Sequence, residues 1–506
     1  MVPPLPPDCH SRKHRINETM KKLIQRWRKG AVLALGLSVA ALSGCESLME
    51  VNLPSQLTDE VLTDPGNAAI IVNTFIAHFE DGWDAQNYYN FGREASGEVY
   101  LCGPCGYSDY QPGSPSFTAH SKSIRFARGL YAKLEKDWDV KAVPSRSRYM
   151  ALASLYQGAV LASFGSHLCE VSLSGGPKQT AATTLDQAET MLTRAIAEIT
   201  AAGDFAVQNG IATSARQFAY GLRAQTRYMK GDMTGAAADA ALVPNNFMAY
   251  NTREAGAARQ NFAWYSGTSG TYMELYDPID WWKSPIPNPA NNTVWPAIIP
   301  FTGWTNLGIL PDGRAVTNRG IPIRTAAGPA PWNNAVGVTA GAVADTRVKH
   351  FSASIAGKGS AGLLSARYTE EGSDTPLVNW REMILIRAQA ADGQAAIDLV
   401  NQIRTADKLP LVTYASAGDA TEIRYMIQEE KRRSLFSEGR YVYTMLKNPD
   451  ISWFPRAAGG TRFKVRNLQG GVRWIMSGAE YTVNTNLTLA DKATGCGNSE
   501  KPVGNI

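Results

Sequence analysis

Residues 429–440 read EEKRRSLFSEGR, and they follow two other helix-like stretches, LVNWREMILIRAQAA at 377–391 and LVNQIR at 399–404. Charge and apolar residue alternate at helical spacing through all three, so the chain from Trp380 to Ala391, from Gly393 to Arg404 and from Thr421 to Phe436 is read as three short antiparallel helices. Glu430, Arg432, Arg433, Glu438 and Arg440 fall where i+3 and i+4 spacing lets opposite charges meet. Gly439 then ends the helix and lets the chain turn back. These charges read as structure rather than as a catalytic acid and base, because a carboxylate paired with arginine is held ionised and makes a poor general acid.

Working outward, the same pattern fills the first half of the chain. From about Thr63 to Leu242 the reading is mostly helical. Thr184-Leu185-Asp186-Gln187 has the form of a capping box, and Leu185, Ala188, Leu192, Ala195 and Ile199 then line one helix face. A helix from Ser147 to Phe164 is expected to stop at Gly165. Another runs from Ser214 to Met229 and ends at Lys230-Gly231-Asp232, followed by an Ala-rich helix to Leu242. Paired helices of this length, Ala-rich where they pack, point to a mostly α, tetratricopeptide-like helical-hairpin scaffold with irregular repeats. Its two parts are about 63–242 and 376–447. Between them, from about Asn245 to Thr369, the chain is rich in Pro, Gly and Asn and holds six of the twelve tryptophans: Trp264, Trp281, Trp282, Trp295, Trp304 and Trp332. This loop-rich insertion reads as long ordered loops with short strands, and such segments in compact proteins usually carry function. The polar tail after Asn486 is expected to be loosely held.

The three C-terminal stretches, in that order, resemble the signature of the SusD/RagB family of outer-membrane nutrient-binding lipoproteins. Phe164-Gly165, Arg223 to Asp232 and Asp345-Thr346-Arg347 match as well, so the resemblance spans nearly the whole chain. It departs at Gln389 and Ser434, where the family usually carries Glu. The resemblance implies a SusD-like fold and a protein that sits on a TonB-dependent, SusC-like barrel in the outer membrane, facing outward. It implies capture of an oligosaccharide or a peptide, delivery of that ligand to the barrel, no enzymatic activity and no cofactor.

The N-terminus agrees. Lys21, Lys22, Arg26, Arg28 and Lys29 precede an apolar run from Ala31 to Leu42, which closes on Leu42-Ser43-Gly44-Cys45. That order is a signal peptide, and the cysteine after small residues resembles a lipobox. Cys45 is then the acylated first residue of the mature protein. The run is too short for the roughly 20 residues of a membrane-spanning helix. Residues 1–44 read as leader and 45–506 as one domain, with Met20 the better start. Residues 1–44 carry eight Lys/Arg and two Asp/Glu of the chain's 50 and 45, which leaves 42 basic and 43 acidic groups and a net charge near −1 from Cys45 onward. No electrostatic footprint for nucleic acid is present.

A sugar-binding surface needs flat aromatic faces and amides rather than a nucleophile. The candidate ligand residues are Trp83, Asn87, Tyr89 and Asn90 in the segment 82–92, with Trp264, Trp281, Trp282, Asn292 and Trp304. After Cys45, the cysteines Cys102, Cys105, Cys169 and Cys496 allow three disulfide pairings, of which Cys102–Cys105 with Cys169–Cys496 is expected. Cys102-Gly103-Pro104-Cys105 matches the thioredoxin tetrapeptide but sits in a Gly- and Pro-rich stretch without a βαβ pattern. Residues 357–362, GKGSAG, match a dinucleotide fingerprint without the helix it needs. The four histidines after Cys45 show no zinc-ligand spacing. Two other readings remain: a secreted glycoside hydrolase, which would need a carboxylate pair drawn from Glu98, Glu274, Asp277 and Asp280, and a helical scaffold for envelope proteins.

Overall fold

The computed structural model describes residues 59–95, 113–256, 258–269, 307–309, 315–317, 323–325, 328–330, 347, 350–354, 361–409, 411–412, 415–447, 461–462, 466–467, 473–474 and 476–491. The chain divides into two compact units, 1–63 and 64–506. The first contributes one described element, a five-residue helix at Asp59–Thr63.

The second unit is a succession of helices, and the longer ones are numbered here: α1 Ala68–Ala95, α2 Gly113–Ala132, α3 Arg146–His167, α4 Ala181–Ala202, α5 Ala215–Lys230, α6 Met233–Ala241, α7 Trp380–Ala390, α8 Gly393–Ala406, α9 Ala420–Ser434 and α10 Tyr441–Lys447. Each of α1 to α8 packs on the next along this list. The mostly α, hairpin-built scaffold read from the sequence is the observed one. The succession continues from α6 directly to α7, across the insertion. The strand Met248–Asn251 pairs antiparallel with Thr375–Asn379, which closes the neck of that insertion. Short antiparallel hairpins are its described content: Leu307–Ile309 with Ala315–Thr317, Ile323–Thr325 with Gly328–Ala330, and His350–Ser354 with Ala361–Ser365.

The core lies along the helix seams. Ile71, Val72, Phe75, Ile76 and Phe79 form one face of α1 and are buried. Phe79 meets Tyr156 of α3 edge-on with ring centroids 5.3 Å apart. Leu185, Ala188, Leu192, Ala195 and Ile199 of α4 are buried as their spacing requires. A second cluster joins α7, α8 and α9 through Ile384, Leu385, Val400, Ile403, Met426 and Ile427. Among the described residues, no helix is long and apolar enough to cross a membrane.

Two local expectations are corrected. The cap of α4 is Thr180, whose hydroxyl accepts from the Thr183 amide at 3.1 Å, and Thr184 lies inside the first turn. Gly165 does not end its helix: α3 runs on to His167. The glycine is there for contact, since a Cβ at 165 would stand 2.7 Å from Leu185 Cγ on α4. The chain leading to the tail is docked up to Asn486. Trp474 exchanges backbone hydrogen bonds with His167 and Cys169, both 2.8 Å. Asn484 Nδ2 donates to Ser172 Oγ at 2.6 Å and to the Gly176 carbonyl at 2.9 Å, and Asn486 Nδ2 to the Gly175 carbonyl at 2.7 Å. Beyond Asn486, the exposed Lys178–Asp491 pair at 3.9 Å adds little. Cys169 is disulfide-bonded. Its partner, like Cys45, Cys102, Cys105 and Cys496, lies outside the described residues.

Candidate ligand surface and the polar clasp beneath it

Three of the signature charges, Glu430, Glu438 and Arg440, form tertiary pairs. Glu430 on α9 accepts from Arg404 of α8 at 2.6 Å and from Arg347 at 2.6 Å. Glu438 accepts from Arg367 at 2.5 Å and from Asn379 at 3.0 Å. Arg440 Nε donates to Glu382 of α7 at 2.9 Å, and the same carboxylate takes Gln225 Nε2 at 2.8 Å and the Tyr443 hydroxyl. Beyond the i+3 and i+4 spacing, these three side chains point inward, where partners elsewhere in the chain replace the water they have lost. Burial also reverses the direction expected of the carboxylate. The Glu438 pKa is raised by burial, against the pull of Arg367, Asn379 and Arg440.

The segment 82–92 is helical, within α1, and not an exposed loop. Trp83, Asn87 and Asn90 stand at i, i+4 and i+7, hence on one face, and Trp83, Asn87, Tyr89 and Asn90 are 8, 1, 9 and 0% exposed. That face seats the signature segment. The Arg440 guanidinium lies 5.2 Å from the Trp83 ring centroid. Asn90 accepts from the Val442 amide at 3.2 Å and donates to the Gln86 carbonyl at 3.2 Å. Gly439, at φ +73°, comes so close that a Cβ there would be 3.2 Å from both Asn87 Oδ1 and Trp83 Cζ2. Tyr89 meets Trp474 edge-on at 6.2 Å. The four side chains are therefore corrected from ligand contacts to packing between α1, the signature segment and the tail. The spacing of 83, 87 and 90 was the signal that could have shown it.

The described part of the insertion's root is held by carboxylates from α1. Glu80 accepts from the Thr252 amide at 2.9 Å, the Thr252 hydroxyl at 2.6 Å and Arg259 at 3.0 Å. Asp84 accepts from the Phe262 amide at 3.2 Å and lies 3.9 Å from Arg253. Burial pushes its pKa up to about 7, against Arg253 and the Phe262 amide. Asp374 accepts from the Arg253 amide at 2.8 Å, and Asn261 Nδ2 donates to the Ser373 carbonyl at 2.8 Å. This clasp ties the first end of the insertion to α1 and the second end to the first.

Directly beside the clasp, Asn261 caps a short turn by accepting from the Trp264 amide at 2.9 Å. Phe262 and Tyr265 are exposed there and Trp264 is half-buried. Phe262 and Tyr265 were missed by the sequence reading, because nothing in a single sequence distinguishes an exposed aromatic from a buried one. Trp281, Trp282, Asn292 and Trp304 lie outside the described residues, as do Glu98, Glu274, Asp277 and Asp280. Among the described residues, no group of three His, Cys, Asp or Glu could hold a metal ion.

No family model and no curated protein matches the sequence. Solved structures do. A SusD-like carbohydrate binding protein from Bacteroides vulgatus ATCC 8482 matches with a TM-score of 0.53 at 11% identity, over 84% of this chain and 97% of that one. A SusD superfamily protein from Bacteroides fragilis matches with a TM-score of 0.50 at 14% identity, over 84% and 99%. Identities this low speak to architecture, and at that level the resemblance carried by the C-terminal signature is met along nearly the full length of both structures: this chain has the SusD-like fold.

Proposed function

We propose that this chain is a lipid-anchored binding protein of the outer membrane that captures an oligosaccharide, or a peptide, and hands it to a TonB-dependent, SusC-like barrel. The observation that carries the reading is the full-length likeness to a SusD-like protein described as carbohydrate binding. The lipobox at Cys45 supports the anchor and the outward leader supports export. Acylation by more than one chain holds a protein at a membrane where a single chain binds only marginally.

The work asked of such a protein is recognition, not bond cleavage. Aromatic faces stack on sugar rings, and amides and carboxylates satisfy their hydroxyls. Trp264, with the exposed Phe262 and Tyr265, forms the described edge of the ligand surface. Trp281, Trp282, Asn292 and Trp304 of the insertion complete it. Two measurements test the reading. Gentle detergent extraction of the tagged chain should co-purify a TonB-dependent barrel in stoichiometric amount. A glycan binding assay should show affinity that falls about tenfold or more on replacing Trp281 and Trp282 by Ala, as loss of a stacking face requires. Hydrolysis of any bound oligosaccharide by the pure protein would overturn the binding role in favour of an enzyme.

A further inference from the structure

A cleft of about 290 Å³ lies between α2, the turn after Glu170–Ser172 and the start of the helix at Glu480–Val483. One wall is a single face of α2, where Thr118, Ser121, Lys122 and Arg125 recur at helical spacing. Lys122 and Arg125 are both exposed and three residues apart, and neither forms a salt bridge among the described residues. Their field reaches inward: the His78 pKa is lowered by burial first and then by Lys122 and Arg125, with Asp81 opposing. The Arg125 guanidinium sits 5.2 Å from the Phe126 ring centroid, which restrains it at the edge of the cleft.

The opposite wall is rigid. Gly176 N donates to the Leu173 carbonyl at 3.0 Å, and Ser174 and Gly175 have φ of 55° and 71°, so residues 173–176 form a type I′ turn. The docked tail clamps this turn through Asn484 and Asn486. Ser174 is a non-glycine residue in the left-handed region, a strained choice where Asn or Gly costs less, and it places a hydroxyl on the cleft. Glu480, half-buried, closes the end, and burial raises its pKa against a hydrogen bond from Asn484. The volume is at the small end of ligand pockets, roughly 300–1,000 Å³, which suits one ring and not a chain.

We propose that this cleft is a second saccharide subsite that takes one acidic pyranose unit, a uronate. Its carboxylate lies against Lys122 and Arg125, and its hydroxyls meet Thr118, Ser121, Ser174 and Glu480. That the ligand is a sugar rests on the binding function proposed above; that the sugar is acidic rests on the two unpaired cations, which match a carboxylate by charge-assisted hydrogen bonds.

The test uses the full chain, with digalacturonate and neutral galactobiose as probes, by calorimetry at low and at physiological salt. Digalacturonate should bind about tenfold tighter than galactobiose and should weaken as salt rises. The double variant Lys122→Ala/Arg125→Ala, which removes only exposed side chains, should lose that preference. Ser174→Gly keeps the turn, removes the hydroxyl, and should weaken digalacturonate several-fold. Equal affinity for the two probes, an unchanged double variant, or acetate competing as well as digalacturonate would each overturn the subsite. If neutral glycans bind but digalacturonate binds no tighter than they do, the subsite alone fails. If the chain binds no glycan of either kind in a broad screen, the general function fails with it.

Discussion

At the scale of single residues, the buried Glu430 carries the most weight. It is 1% exposed and takes two guanidinium groups, one of them Arg404 at 0% exposure. Removing one partner from such a set leaves charge in the core without compensation, which typically costs about 3–5 kcal/mol. Glu430→Ala should lower the unfolding free energy by that order in urea titration, and a loss under about 1 kcal/mol would show that the charges are solvated after all. Asp84 makes a second prediction, through pH. Its folded pKa of about 7 stands above the ordinary 3.8. Between those values the folded protein keeps a proton that the unfolded chain has released, so stability falls as pH rises through this window. Asp84→Asn removes the slope. The stability of the variant relative to the natural protein should climb between pH 4 and pH 7 by up to a few kcal/mol, since one pKa unit is worth about 1.4 kcal/mol. A difference independent of pH would exclude Asp84 as its source.

At the scale of elements, two glycines fix how helices meet. Gly439→Ala must hold a left-handed backbone and press on Asn87 and Trp83. A loss of about 1–3 kcal/mol is expected. Gly165→Ala forces α3 from Leu185 of α4 and should cost a similar amount by overpacking. Thermal unfolding monitored by circular dichroism measures both, and unchanged midpoints would mean that the helices slide apart without penalty. Legibility in the sequence followed the range of the interaction. The α4 face from Leu185 to Ile199, the helix end at Lys230-Gly231 and the α7–α9 helices are local patterns, and they were readable. Gly165 looked like a stop because its reason, Leu185, is on another helix. Glu430 looked like half of an i+3 pair because Arg404 and Arg347 are distant in sequence. Trp83, Asn87 and Asn90 looked like ligand groups because an aromatic beside amides is equally suited to a sugar and to the seat of Gly439.

At the scale of the molecule, the tail and the insertion are the two long-range closures. The tail is pinned to α3 and to the turn at 173–176, beside the disulfide-bonded Cys169. Peptide mapping without reduction should recover Cys169 joined to Cys496, and a different partner would redraw the path of the C-terminus. Loss of that bridge by Cys169→Ser should lower stability by about 2–4 kcal/mol. The insertion closes differently. Residues 242–379 leave after α6 and return at α7, and α6 packs on α7 as if nothing intervened. Closing a loop costs free energy that grows only with the logarithm of its length, about 0.6 kcal/mol for each doubling. Its ends are already fixed side by side by the pairing of Met248–Asn251 with Thr375–Asn379 and by the clasp of Glu80, Asp84 and Asp374. A descendant of this chain can therefore lengthen, shorten or replace the insertion while the helical frame keeps its own stability, so the insertion can diverge without the frame having to evolve in step.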